Sequence, residues 1–297
     1  MDLENLIMES VPNFSEGRNS QIIDKILSAF RERDGVRLLD YSCDTDHNRM
    51  VASVVGSPQA LRSAIVEAVG IAVELIDLNV HRGEHPRLGA ADVIPFIPLR
   101  GCGMEEAVGL ARATARDIAE RYALPVFLYE KAAYAADRSN LADLRRGQFE
   151  GLDAKLLQPE WRPDFGPSRK HPRAGAAVVG ARSPLIAFNV NLASEDIRVA
   201  KDIARRVRAA GGGLPCCKAI GLTLRSKGMV QVSMNLTDYR QTGMHHAYAA
   251  VAAEAQKLGV RLAGCELVGM APQEAVADSL AYFLGIDNFN SQQILIQ

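Results

Sequence analysis

NVHRGEHPRLGAADVIPFIP, residues 79–98, is the stretch on which the reading of this chain turns. Two histidines, two arginines, a glutamate, an aspartate and three prolines fall within these twenty residues, in a chain with only six histidines. Pro86 disfavours the α conformation at His85, and Gly83 adds a flexible point just before it. The first half therefore reads as an irregular loop. The second half, the apolar run 93–99, reads as a buried strand that gives the loop a rigid base. Imidazoles on such a loop titrate near neutral pH, as general acid–base chemistry requires. Two other readings stand beside that one. The histidines could be hydrogen-bonded structural residues. They could also be a metal pair, since HxxxH on a helix aligns two ligands. Here Gly-Glu-His-Pro breaks the helix, and Glu84 does not sit where the HExxH base would, so no metal is expected.

Outward from this stretch the pattern is regular. Pro58 opens a helix to residue 78, apolar at Leu61, Ile65, Val69, Ala72 and Leu75. Strands are predicted at 50–55 and 36–41, joined by the polar turn SCDTDHNR at 42–49. A helix is expected over 20–33, capped by Ser15 or Asn19, and a first strand over 6–14. With 93–99 as the closing strand, the order is β-α-β-β-α-β, that of a ferredoxin-like split motif. Further on come a helix at 104–122, a strand at 126–129 extending the sheet, a helix at 141–149 and a proline-rich loop at 157–173. The order then repeats: strand 185–192, helix 195–209, a hairpin of 217–224 and 229–236 turning at Ser226-Lys227-Gly228, helix 245–257, strand 260–268 and helix 272–284. The expected class is α+β, two ferredoxin-like subdomains in tandem, with boundaries 1–182 and 183–297.

Composition narrows the function. With 297 residues, 48% of them hydrophobic, the chain can bury a substantial core, and its net charge of −1 argues against a dedicated nucleic-acid binder. No apolar run reaches the length of a membrane span, and the acidic start MDLENLIMES lacks a leader pattern. Five cysteines, Cys216 and Cys217 adjacent, fit reduced thiols in a cytoplasm. The glycines at 211–213 lack the order of a nucleotide loop.

The central stretch, extended to HRGEHPRLGAADVIPFIPLRG, resembles the signature of the folate-dependent glutamate formiminotransferases. VPNFSEGRN at 11–19, PDFGPS at 163–168, IAFNVNL at 186–192 and QVSMNLTD at 231–238 are similar to further motifs of that family, in order along nearly the whole chain. The resemblance implies transfer of the formimidoyl group from N-formimidoyl-L-glutamate to N5 of tetrahydrofolate, in histidine degradation. It implies a folate site between the two subdomains, a cytoplasmic homodimer, and a transferase unit without the cyclodeaminase domain fused to it in some relatives. Tetrahydrofolate is expected as co-substrate, with its polyglutamate forms included, and no nucleic acid or membrane as partner. His85 matches the family's acid–base histidine, Arg49 an arginine suited to gripping a carboxylate, and His81 is expected to orient a neighbour or pack. Ser42 stands where the family carries an acidic residue, so Asp44 or Asp46 is expected to supply the carboxylate. Ordinary turn chemistry is the alternative for these aspartates.

The loop Gly166, Pro167, Ser168, Arg169, Lys170, His171, Pro172, Arg173, Ala174 and Gly175 matches the family's folate-binding loop in position and length. Its basic run would attract an anionic glutamate tail, although a solvated charged loop is the plainer reading. VPNFSEGRN serves either as helix-capping chemistry or as a substrate wall. Three rivals remain for the whole chain: a formyl rather than formimidoyl transferase, a non-catalytic folate-binding protein spoiled at Ser42, and a metal-dependent hydrolase using His81 and His85.

Overall fold

Pro12 breaks the first predicted strand in two, because it cannot donate to a ladder. In its place are β1 (Ile7–Ser10) and β2 (Asn13–Phe14), and the Pro12 carbonyl accepts from the Ala52 amide at 3.1 Å. The computed structural model describes residues 6–135 and 138–294; the first five residues of the acidic N-terminal stretch lie outside these. The chain forms two compact units, Met1–Ser183 and Pro184–Gln297, within the mixed α+β class.

In the first unit α1 (Ser20–Ser28) starts at Asn19, whose side chain accepts from the amides of Gln21 and Ile22. Ser15, the other candidate cap, instead donates its hydroxyl to the Gly89 carbonyl at 2.7 Å. β3 (Val36–Asp44), β4 (Arg49–Gly56), α2 (Pro58–Leu75), β5 (Ala91–Arg100), α3 (Met104–Tyr122) and β6 (Val126–Glu130) follow as the periodicity indicates. The predicted helix over 141–149 is in fact two short ones, α4 (Leu141–Leu144) and α5 (Leu152–Leu156). Gly147 and Gln148 lie at positive φ (88° and 54°) between them, a conformation that ends a helix. The sequence reading missed β7 (Ala177–Ala181) altogether.

The sheet runs β3-β4-β1/β2-β5-β7-β6, antiparallel as far as β5 and parallel from β5 through β7 to β6. Successive side chains of its parallel part alternate between two cores. Ile94, Val126, Leu128 and Val179 join Phe14, Phe30 and Phe96 under α1–α3, whereas Val93, Phe127, Tyr129 and Val178 pack with Leu144, Leu152 and Leu156 of α4 and α5. Each fully buried leucine or phenylalanine contributes about 2 kcal/mol. One irregularity matters for the site: Asn13 faces Val93 while Phe14 faces Ala91, so Asp92 is an extra residue in β5, a β-bulge that re-aims its side chain.

The second unit comprises β8 (Ile186–Leu192), α6 (Ile197–Val207), β9 (Cys217–Leu224), β10 (Met229–Leu236), α7 (Met244–Lys257), β11 (Leu262–Val268) and α8 (Gln273–Leu284). Its sheet has the order β11-β8-β10-β9, antiparallel throughout. The β9–β10 hairpin turns where expected, with Gly228 at φ 59°. Among the described residues no helix is long and apolar enough to cross a membrane.

Candidate active site

The loop between α2 and β5 is fixed from two sides. On one side the Leu78 amide donates to Arg173 O (2.9 Å), Asn79 Nδ2 to Pro172 O (2.9 Å), the Ala90 amide to Ala174 O (3.0 Å) and the Ala176 amide to Leu88 O (3.2 Å). Gly89 permits this approach: a Cβ there would stand 1.9 Å from the Ala176 carbonyl oxygen. On the other side the Glu84 amide donates to Asp46 O at 3.1 Å. A Cβ on Gly83 would lie 2.1 Å from His47 O. Asn48, at φ 47°, ties three segments together: its Oδ1 accepts from the Gly17 amide (3.0 Å) and its Nδ2 donates to Arg82 O (3.1 Å). The SEGRN segment thus ends in a turn held on the β3–β4 connection, Gly17 through Asn48 and Arg18 through the Thr45 carbonyl.

His85 and Arg49 meet in this frame. Arg49 Nη1 donates to His85 Nε2 at 2.6 Å, and His85 Nδ1 bonds Pro86 O at 2.8 Å. A carbonyl only accepts and a guanidinium only donates, so the imidazole is neutral, with its hydrogen on Nδ1 and its lone pair on Nε2. Burial holds the His85 pKa well below its ordinary value, and the Arg49, Arg145 and His47 charges push it the same way. Arg49 is half-buried and its Nε is enclosed without a partner among the described residues. Burial and the neighbouring Arg145 cation lower its pKa to about 9, against the pull of Asp92 and Asp44, so it stays charged at neutral pH.

Arg145 and Asp92 belong to the same cluster, and sequence reasoning did not find them. Arg145 Nη2 forms an ion pair with Asp92 Oδ2, while Asp92 Oδ1 accepts from the Leu88 amide at 2.7 Å. Their side chains are 13% and 4% exposed, so the pair is nearly enclosed, and Arg145 Nε has no partner among the described residues. Lys155 steadies the turn that presents Arg145, giving its ammonium hydrogens to the carbonyls of Asp143, Leu144 and Arg146 (2.7, 2.6 and 3.2 Å). Its burial lowers the pKa to about 8.

His81 has a different part. Buried, it bonds Asn48 O through Nε2 (2.9 Å) and accepts from Arg87 Nε through Nδ1 (3.3 Å). Arg87 in turn clamps Glu150 with both terminal nitrogens (3.0 and 2.7 Å) and Gln148 at 3.0 Å. Both nitrogens of His81 are therefore spent on holding the loop. Asp44, at the end of β3, accepts from the His47 amide at 2.7 Å and lies 3.9 Å from His47 Nδ1. Asp44 reaches the cluster through His47 and through its charge on Arg49, not by a bond to His85, whose ring nitrogens are taken. No three His, Cys, Asp or Glu side chains converge as a metal-ligand set among the described residues.

The 166–175 loop begins and ends on glycines at positive φ, Gly166 (82°) and Gly175 (72°). His171 and Gly175 exchange backbone hydrogen bonds (3.0 and 3.1 Å), and His171 Nδ1 accepts from the Ala174 amide at 2.9 Å. Its cations are not all available. Lys170 pairs with Asp153 at 2.7 Å and lies over the Phe149 ring, and Arg173 pairs with Asp77 at 3.2 Å. Arg169 is exposed, as are Ser168, Pro172 and Arg173; Pro167 is half-buried and Ala174 buried.

Comparison with known proteins shows the family. The family model described as the formiminotransferase domain, N-terminal subdomain, matches residues 7–182, and that of the formiminotransferase domain matches residues 187–294. A glutamate formimidoyltransferase of Streptococcus pyogenes serotype M1 is 42% identical, with 98% of this chain and 97% of that protein covered. One of Thermoplasma acidophilum is 43% identical, with 97% and 96% covered. The formimidoyltransferase-cyclodeaminase of Sus scrofa is 43% identical over 95% of this chain but only 53% of its own length. This chain belongs to the formiminotransferase family.

Proposed function

We propose that the chain is a glutamate formimidoyltransferase, moving the formimidoyl group from N-formimidoyl-L-glutamate to N5 of tetrahydrofolate and releasing L-glutamate, in histidine degradation. The observation that carries this reading is the neutral His85, its Nδ1 hydrogen fixed on Pro86 O and its Nε2 lone pair turned to Arg49. Tetrahydrofolate supplies a nucleophilic amine, and the proton this amine sheds must reach the departing glutamate nitrogen. An imidazole held neutral can take the first proton and deliver it to the second atom. Arg49 occupies Nε2 at 2.6 Å, so a substrate carboxylate that draws the guanidinium onto itself would also free the base.

Gly166, Pro167, Ser168, Arg169, Lys170, His171, Pro172, Arg173, Ala174 and Gly175 are the proposed folate-binding segment. The backbone bonds that join it to the His85 loop support this. Asp44 is proposed to assist through Arg49. Two ferredoxin-like subdomains, 1–182 and 183–297, complete the reading; the antiparallel orders β3-β4-β1-β5 and β11-β8-β10-β9 support it.

The test is a purified-protein assay with tetrahydrofolate and either N-formimidoyl- or N-formyl-L-glutamate. Glutamate release is expected only with the formimidoyl donor and tetrahydrofolate together. Release from the formyl donor alone would favour the formyltransferase. No release from either at saturating substrate would leave a folate-binding protein.

A further inference from the structure

The cluster around His85 sets two guanidinia, Arg49 and Arg145, against two carboxylates, Asp92 and Asp44, and neither carboxylate bonds Arg49 among the described residues. Arg49 makes no ion pair among the described residues, its one hydrogen bond going to a neutral imidazole. The second guanidinium, Arg145, is close enough for its charge to act on both Arg49 and His85. Of the acids facing them, Asp92 is committed to Arg145 and to the Leu88 amide, and Asp44 to the His47 turn. Arg145 acts on Arg49 more strongly than either Asp92 or Asp44 does, so a further anion between the two guanidinia would relieve their repulsion. Both guanidinia also keep an enclosed Nε–H without a partner.

The chemistry of the donor says which anion. In N-formimidoyl-glutamate the nitrogen that leaves is bonded to the carbon that bears the α-carboxylate. A group that protonates this nitrogen and a group that grips this carboxylate must therefore be neighbours, whereas the side-chain carboxylate lies two carbons further off. Arg49 is such a neighbour of His85, at 2.6 Å. Asp92, turned by its β-bulge, holds Arg145 to the same loop three residues beyond, through Leu88. We infer that Arg145, oriented by Asp92, joins Arg49 in binding the α-carboxylate of the formimidoyl donor and so restricts the enzyme to α-amino-acid donors. The inference rests on the transferase reading and assigns to Arg145 a binding role that no motif marks.

The test pairs a variant with a substrate change. N-formimidoyl-4-aminobutyrate keeps the chain and the far carboxylate of the natural donor but lacks the α-carboxylate. Wild-type enzyme should show a KM for it about 10- to 100-fold above that for N-formimidoyl-L-glutamate, the range for one charged hydrogen-bonded contact. Arg145→Gln should raise the KM of the glutamate donor by a similar factor, leave the KM of tetrahydrofolate unchanged, and make the two donors nearly equal. Equal losses on both donors would mean that Arg145 only holds the loop, and an undiminished preference in the variant would also overturn the inference. Should Arg145→Gln fail to fold, Arg145→Lys keeps the charge opposite Asp92 and must still narrow the gap between donors. Calorimetric binding of L-glutamate against 4-aminobutyrate gives the same contrast without turnover. An inactive wild type that still prefers glutamate through Arg145 would reject the transferase reading alone.

Discussion

Replacing His85 and His81 separately by alanine should break two different things. His85→Ala removes the Nδ1 bond to Pro86 O and the contact with Arg49 from a half-buried site, a stability cost of about 1–2 kcal/mol. The chemistry should suffer far more, because the lost group is the proposed proton carrier. A fall in kcat of about 10²- to 10⁴-fold is expected, equal to about 3–5 kcal/mol on the barrier. His81→Ala removes a buried ring with partners on both nitrogens, Asn48 O and Arg87 Nε, and leaves a cavity. Its stability cost should be about 2–4 kcal/mol, with a smaller loss of turnover in the molecules that remain folded. Urea unfolding gives the first quantity for each variant, and initial rates at saturating substrates give the second. The crossed pattern is the evidence: low activity with a sound fold at His85, a weak fold with residual activity at His81. Near wild-type turnover in His85→Ala would refute the assignment, and abolished turnover in a well-folded His81→Ala would transfer it to the other imidazole.

Other expectations follow from the same geometry. Arg49→Lys keeps the charge but not the planar grip, so the KM for the formimidoyl donor should rise about 10-fold or more in steady-state assays; unchanged constants would return Arg49 to the turn. Tetrahydrofolate with several glutamates should bind more tightly than the monoglutamate, less so as salt screens charges beyond about 10 Å at 0.1 M. Arg169→Ala should reduce that advantage more than Lys170→Ala, since Lys170 already faces Asp153; equal affinities for both folates at every salt concentration would remove the loop from the site. Burial lowers the pKa values of His85 and His81, so the unfolded chain binds protons in a window where the folded chain does not. Stability should thus be greatest above about pH 6.5 and fall as the pH drops toward the folded values, and urea midpoints in His85→Ala should depend less steeply on pH there.

Much of this was legible in the chain, for physical reasons that differ from place to place. The 104–122 helix and the β9–β10 hairpin came through because a 3.6-residue apolar repeat and a glycine at positive φ are local signals. β7 escaped because AVVGA is buried on both faces and carries no alternation, as parallel strands do not. His85 and Arg49 could be found from their motifs. Arg145 and Asp92 could not, since their pairing spans 53 residues and depends on a bulge that only the register reveals. The ion pairs of Lys170 and Arg173 were equally invisible, their partners lying on distant segments.

The backbone bonds between residues 78–90 and 171–176 constrain the engineering of either segment. Each strand of that seam supplies both donors and acceptors, and Gly89 leaves no room for a side chain between them. Lengthening either segment by one residue would shift every rung against its partner and drag the imidazole with it. Exchanging the 166–175 loop alone would break its bonds to the segment that carries His85. The two segments form one cassette, to be exchanged as a unit.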